Sequence, residues 1–130
     1  MAGKAIIDPG FTWDDEYGYS QCVRVGDLLY LAGQMPVDRD GAVVGEGDIK
    51  AQTRQVFANI EAVLAAAGSS LGDIVEATYY LTNMTDDFLG MWEVMGQHLT
   101  KDFPTGTALG VAALALPGQR VEIKVTALAR

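Results

Sequence analysis

The chain has 130 residues, 49% of them apolar, and a formal charge of −8 from 17 acidic and 9 basic side chains. That length and apolar share fit one core-bearing domain over residues 1–130, and scattered Lys and Arg exclude the basic stripe that a phosphate backbone demands. The lone cysteine, Cys22, excludes an internal disulfide and fits a reducing cytoplasm, and a lone His98 beside it leaves no His/Cys metal set.

Met1 to Pro9 lack a basic start followed by a long apolar run, so no leader peptide is expected. Ser20–Val25 and Leu28–Gly33 are apolar-rich runs joined by Gly26-Asp27, a hairpin signal, and Met35-Pro36 ends the second strand because proline cannot donate to a ladder. Asp38-Arg39-Asp40-Gly41 is a turn by composition, with Ala42–Val44 a candidate short strand. From Asp48, the residues Ile49, Val56, Phe57, Ile60, Val63, Leu64 and Ala67 recur at helical spacing. Asp48 is a good N-cap and Gly68 suits a left-handed C-terminal position, so a helix is predicted over 48–67.

Ile74–Asn83 changes to period two, with Val75, Ala77, Tyr79 and Leu81 on one face and Glu76, Thr78, Tyr80 and Thr82 on the other. Thr85 is predicted to cap a second helix, with Phe88, Met91, Trp92, Met95 and Leu99 as its buried stripe. Such a stripe is core before it is a ligand platform. A strand over Thr105–Leu116, a turn at Leu116-Pro117-Gly118 and a strand over Arg120–Ala129 complete the order. The apolar run near Leu109–Leu116 is far short of the roughly 20 residues that span a bilayer. The fold class is α+β: a single mixed sheet of about six strands with two helices on one face. Two helices cover only that face, and the other carries enough Tyr, Thr, Ala and Gly to predict burial by neighbouring subunits.

Several segments, taken in order, resemble the RidA (YjgF/UK114) family. Tyr19-Ser20-Gln21 precedes the hairpin, and Leu31-Ala32-Gly33-Gln34-Met35-Pro36 resembles the family's S/A-G-Q-x-P signature. Gln52, Gln55, Asn59 and Ile60 resemble its Q-x-x-Q-x-x-x-N-I/L helix. Ala66-Ala67-Gly68, Gly72-Asp73-Ile74-Val75, Asp87-Phe88, Phe103-Pro104, Gly110–Leu114 and Val121-Glu122-Ile123 follow at the expected places. The resemblance runs from about residue 17 to the end. It implies a chorismate-mutase-like fold, a homotrimer around a central barrel, and a small-molecule cleft at each subunit boundary. It also implies hydrolysis of reactive enamines and imines to a carbonyl product and ammonia, with no metal or organic cofactor.

In the family's full site an Arg grips the substrate carboxylate, backbone groups near the G-Q turn hold the imine, a Glu manages water, and a Tyr shapes the cleft. By resemblance the Tyr falls on Tyr19, the backbone groups on Gly33 and Gln34, and the Glu on Glu122. The Arg of the P-x-R-T/S pattern falls on Gly106, within Pro104-Thr105-Gly106-Thr107, so the carboxylate anchor is missing. The loop before Phe103 is also a few residues shorter than is common in the family.

An Arg holds a carboxylate by two parallel charge-assisted bonds, each worth roughly 1.5–3 kcal/mol net, so its loss weakens small-acid binding by about two orders of magnitude. Gly106 therefore reads as a widened pocket or as a strand bend. Glu122 lies opposite the Val121/Ile123/Val125 face, and reads either as a proton-shuttling acid in a sheltered cleft or as an ion pair with Lys124. Thr105 and Thr107 read as bonds to a substrate oxygen or as strand-end caps, and Tyr19 as packing or ligand contact. Two functions stay open: an enamine/imine deaminase with an altered substrate range, and a non-catalytic small-molecule-binding trimer of the same fold. RNA cleavage is disfavoured by the acidic charge.

Overall fold

The computed structural model describes residues 3–130, and the first two positions of the segment read as lacking a leader lie outside it. The strands are β1 (Lys4–Ile7), β2 (Cys22–Val25), β3 (Leu28–Leu31), β4 (Ile74–Leu81), β5 (Thr105–Gly110) and β6 (Val121–Leu128); the helices are α1 (Asp14–Tyr17), α2 (Ile49–Ala66) and α3 (Met84–His98). One six-stranded sheet runs β1-β2-β3-β6-β4-β5, antiparallel except for the β4–β5 pair, which is parallel. The predicted mixed sheet with two main helices is what forms. β1, an edge strand paired to β2, was not predicted: its four residues are mostly exposed and carry little periodicity.

The core lies between the sheet and α2/α3. Val56, Phe57, Ile60, Val63 and Leu64 of α2 pack on Leu29, Leu31, Ala77, Tyr79, Leu81, Val121, Ile123 and Val125. As predicted, Asp48 caps α2, its carboxylate accepting from Ala51 N at 3.1 Å, and Gly68 takes a left-handed φ of 74° just past the helix end.

Several local predictions are corrected. Asn83, not Thr85, caps α3, its side-chain oxygen accepting from Asp86 N at 3.2 Å. Of the predicted α3 stripe, Phe88, Met91, Met95 and Leu99 pack in or against the core, but Trp92 is 50% exposed beside β5, while Val94, which was not predicted, is fully buried. Val75 is exposed although Ala77, Tyr79 and Leu81 are buried, because the β4–β6 register shifts between Ile74 and Glu76. A bulge there reverses the alternation at one residue. Ala42–Val44 forms no strand, only a single bridge from Val43 to Val37. β5 stops at Gly110 rather than 116, since beyond it the chain leaves the sheet edge.

The polar residues of the α2 motif act as staples for loops. Gln52 is wholly buried; its amide donates to Gly118 O at 2.8 Å and accepts from Arg120 N at 2.9 Å, fixing the entry to β6. Asn59 donates to Met35 O and Val37 O, each at 2.9 Å, fixing the loop after β3. Buried backbone groups outside a ladder need such partners, and these amides supply them. Both stapled loops border the cavity described next.

Candidate ligand site

β6 places Glu122 on the face away from the helices, directly opposite Tyr80 of β4. The carboxylate is half-buried and lies over Gly33. A methyl carbon at Gly33 would collide with its Oε2 and come within 2.9 Å of its Cδ. Gly33 has no left-handed φ, so what it provides is room: its missing side chain is the space the acid occupies. Gln119 holds the acid from the other side, its amide donating to Glu122 Oε1 at 3.1 Å and to Val121 O at 3.2 Å. Among the described residues Glu122 makes no ion pair, and Lys124 projects into solvent. The ion-pair alternative therefore has no support in the geometry.

Glu122 and Gly33 open onto a cavity of about 620 Å³, walled also by Trp13, Glu16, Tyr17, Tyr19, Met35, Asp40 and Leu116. Tyr19 comes from the turn after α1, where Gly18 takes a φ of 74° and Tyr19 N donates to Asp14 O at 3.2 Å. Burial pushes the Tyr19 phenol above its ordinary pKa; the side chains of Trp13 and Gln21 pull it back, and the carboxylates of Asp14 and Glu122 push it further up. A phenol kept neutral beside Glu122 remains a donor.

Gln34 lies behind this wall. Its backbone N donates to Ile123 O at 2.8 Å and its O accepts from Ile123 N at 3.2 Å, while its side chain donates to Gln21 Oε1 at 2.8 Å. It clasps β6 next to Glu122 and leaves Gly33 as the part of the G-Q turn on the cavity.

Gly106 and Thr107 lie elsewhere in the chain. Gly106 pairs with Ala77, and a side chain there would point to the helix side, its Cβ 3.5 Å from Tyr79 Cε2. It borders a second cavity of about 660 Å³ between β5 and α3, with Phe88, Trp92, Met95, Leu99 and Phe103 around it and no charged residue in its lining. Phe88 and Trp92 stack there with ring centroids 5.5 Å apart. Thr107 borders the same cavity, whereas Thr105 borders neither and donates to Val75 O at 3.3 Å. Of the sequence-predicted residues, Tyr19, Gly33 and Glu122 line one cavity, Gly106 and Thr107 line another, and Gln34 and Thr105 line neither.

A model of the family described as endoribonuclease L-PSP matches residues 14–129. The chain belongs to this RidA/YjgF family. A RutC family protein of Pyrococcus horikoshii is 44% identical over 96 residues, 74% of this chain and 75% of the relative. A protein of Dermatophagoides farinae named 2-iminobutanoate/2-iminopropanoate deaminase is 34% identical over 124 residues, 95% of each chain. The crystal structure of a YjgF/YER057c/UK114 family member from Mycobacterium tuberculosis superposes with a TM-score of 0.84 at 32% identity, covering 98% of this chain and all of that one.

Two of the arginines are engaged within the chain. Arg120 is committed to Asp87 through a two-pronged pair, Nε to Oδ2 at 2.7 Å and Nη2 to Oδ1 at 2.8 Å. Arg24 turns its Nε to Gly26 O at 3.0 Å. Cys22 is wholly buried and burial raises its thiol pKa, as an inert core thiol requires. His98 stacks on Phe57 with centroids 4.6 Å apart and bonds Val94 O through Nδ1 at 2.9 Å, which makes it a helix-end packing residue.

Sequence reasoning missed Trp13, Glu16, Tyr17, Asp40 and Gln119. The first three belong to the segment before Tyr19, to which no element was assigned; the usable signal was a tryptophan beside an acidic run that ends at Gly18. Asp40 passed as a turn residue. Nothing in the sequence singles out Gln119.

Proposed function

We propose that the chain is an enamine/imine deaminase whose acid is Glu122, with a substrate range altered by Gly106. Water adds to the protonated C=N carbon, Glu122 takes the proton from that water and returns it to the departing nitrogen, and ammonia leaves with a carbonyl product. The carrying observation is a carboxylate seated over Gly33, steadied by Gln119 and free of any cationic partner among the described residues. An acid held that way is available for proton transfer. Tyr19 and the Gly33 backbone orient the nitrogen. The deaminase name of the mite relative supports the reaction class.

The working unit in this reading is a homotrimer with its clefts at subunit boundaries, in which the β5–α3 cavity of one copy adjoins the Glu122 cavity of another. Support comes from the sheet face away from the helices and the edges beside it, which leave Tyr30 45%, Leu109 44% and Phe103 73% exposed. Exposed apolar surface of that kind is characteristic of an interface. Among the described residues no helix is long and apolar enough to cross a membrane, and a cytoplasmic location is proposed from the unpaired cysteine.

The test is ammonia release from freshly generated imines of small and large amino acids, with Glu122→Ala as the control. Release above the spontaneous rate that the control lacks supports the reading; no release from any substrate ends it. Ligand binding without turnover would favour the non-catalytic alternative.

A further inference from the structure

Three aromatic rings and three carboxylates surround the Glu122 cavity: Trp13, Tyr17 and Tyr19 with Glu16, Asp40 and Glu122. Its lining contains no Lys, Arg or His. Tyr17 is 69% exposed, so its ring is open to an incoming group, while Trp13 is 9% exposed and stacked on Phe11 at 4.9 Å, which holds it in place.

We infer that this cavity recognises an organic cation, a protonated imine or amine that carries an apolar group and no carboxylate. Aromatic faces attract an ammonium through the ring quadrupole, and carboxylates around them add direct attraction. The same carboxylates repel a substrate carboxylate, and the lining of this cavity and of the β5–α3 cavity offers it no cation among the described residues. The proposal deepens the deaminase reading by naming the charge class of its substrate, but binding can be measured apart from turnover.

The full chain is titrated calorimetrically with three probes that share a phenyl ring: 2-phenylethylamine, a cation; 2-phenylethanol, its neutral counterpart; and phenylalanine, the amine with a carboxylate added. The amine is expected to bind about tenfold or more tighter than either of the others, and raised salt should narrow the gap. Asp40→Asn should weaken the amine severalfold and leave the alcohol unchanged, and Tyr17→Ala should weaken the amine more than the alcohol. Equal binding of amine and alcohol, phenylalanine binding as tightly as the amine, or no binding of any probe in the millimolar range overturns the inference. Imine hydrolysis without cation preference sinks this proposal and spares the deaminase reading; cation preference without hydrolysis does the reverse.

Discussion

Gly33→Ala is the sharpest perturbation the geometry offers. A methyl at this position meets Glu122 and nothing nearer: Oε2 lies inside contact, Cδ at 2.9 Å and Cγ at 3.1 Å. The backbone of Gly33 is not in the left-handed region, so alanine adds no φ strain. The clash is with the far end of a flexible side chain, which can move, at the cost of the Gln119 bond to Oε1 at 3.1 Å. Losing one such bond costs about 0.5–1.5 kcal/mol, a fall of roughly 2–7 °C in Tm for a domain of this size. Activity should fall much further. A displacement of about 1 Å in a catalytic group costs on the order of 100-fold, and complete removal of a general acid/base costs roughly 100- to 10,000-fold. Ammonia release and thermal unfolding, measured on the same preparations, should therefore separate: a large loss of kcat with a small loss of Tm. Glu122→Asp in the Gly33→Ala background, with an acid one methylene shorter, should recover part of the rate. A fully active Gly33→Ala protein with native Tm would refute the placement of the acid over that glycine.

Three further outcomes are expected. Asp87→Ala should destabilise the fold by about 2–4 kcal/mol in urea unfolding, because the Asp87 carboxylate is 4% exposed and its loss strands the 28% exposed Arg120 guanidinium that it holds by two bonds. The Arg130 guanidinium, aided by Ser69 and Ser70, holds the Asp73 carboxyl below its ordinary range. A lowered folded-state pKa means stability that is present above the unfolded value of about 4 and is lost as pH falls through the folded value. Arg130→Ala should accordingly flatten the acid limb of a stability–pH curve below about pH 4 and change its slope little above it. Gly106→Arg adds a cation to a cavity whose lining has no charge, and should raise ammonia release from 2-iminopropionate relative to the parent chain. No gain from a folded, correctly assembled variant would show that other parts of the site have diverged.

Much of the fold was legible because burial writes itself into periodicity. The α2 stripe and the β6 alternation are long and regular, so Asp48–Ala67 and Val121–Ala127 read correctly from side chains alone. Failures cluster where one local event resets the phase. The Ile74/Glu76 register shift turned Val75 outward, and on α3 Val94 is buried where Trp92 was expected, leaving Trp92 at the β5 edge. Neither event has a residue signature.

The sequence by itself determined the family and the class of fold, since both follow from residue identities, Glu122 and Gly106 among them, in an ordered pattern. Only the tertiary structure decided what those residues meet. Glu122 and Gly33 are 89 positions apart in the chain, and their contact exists because Gln34 bridges Ile123 and so brings the turn after β3 against β6. Asp40 lies on the loop that follows that turn, and Thr12, donating to Arg39 O at 3.2 Å, ties the Trp13–Tyr17 segment to the same loop. A cavity is a property of surfaces that folding brings together, and no spacing along one strand or helix encodes it.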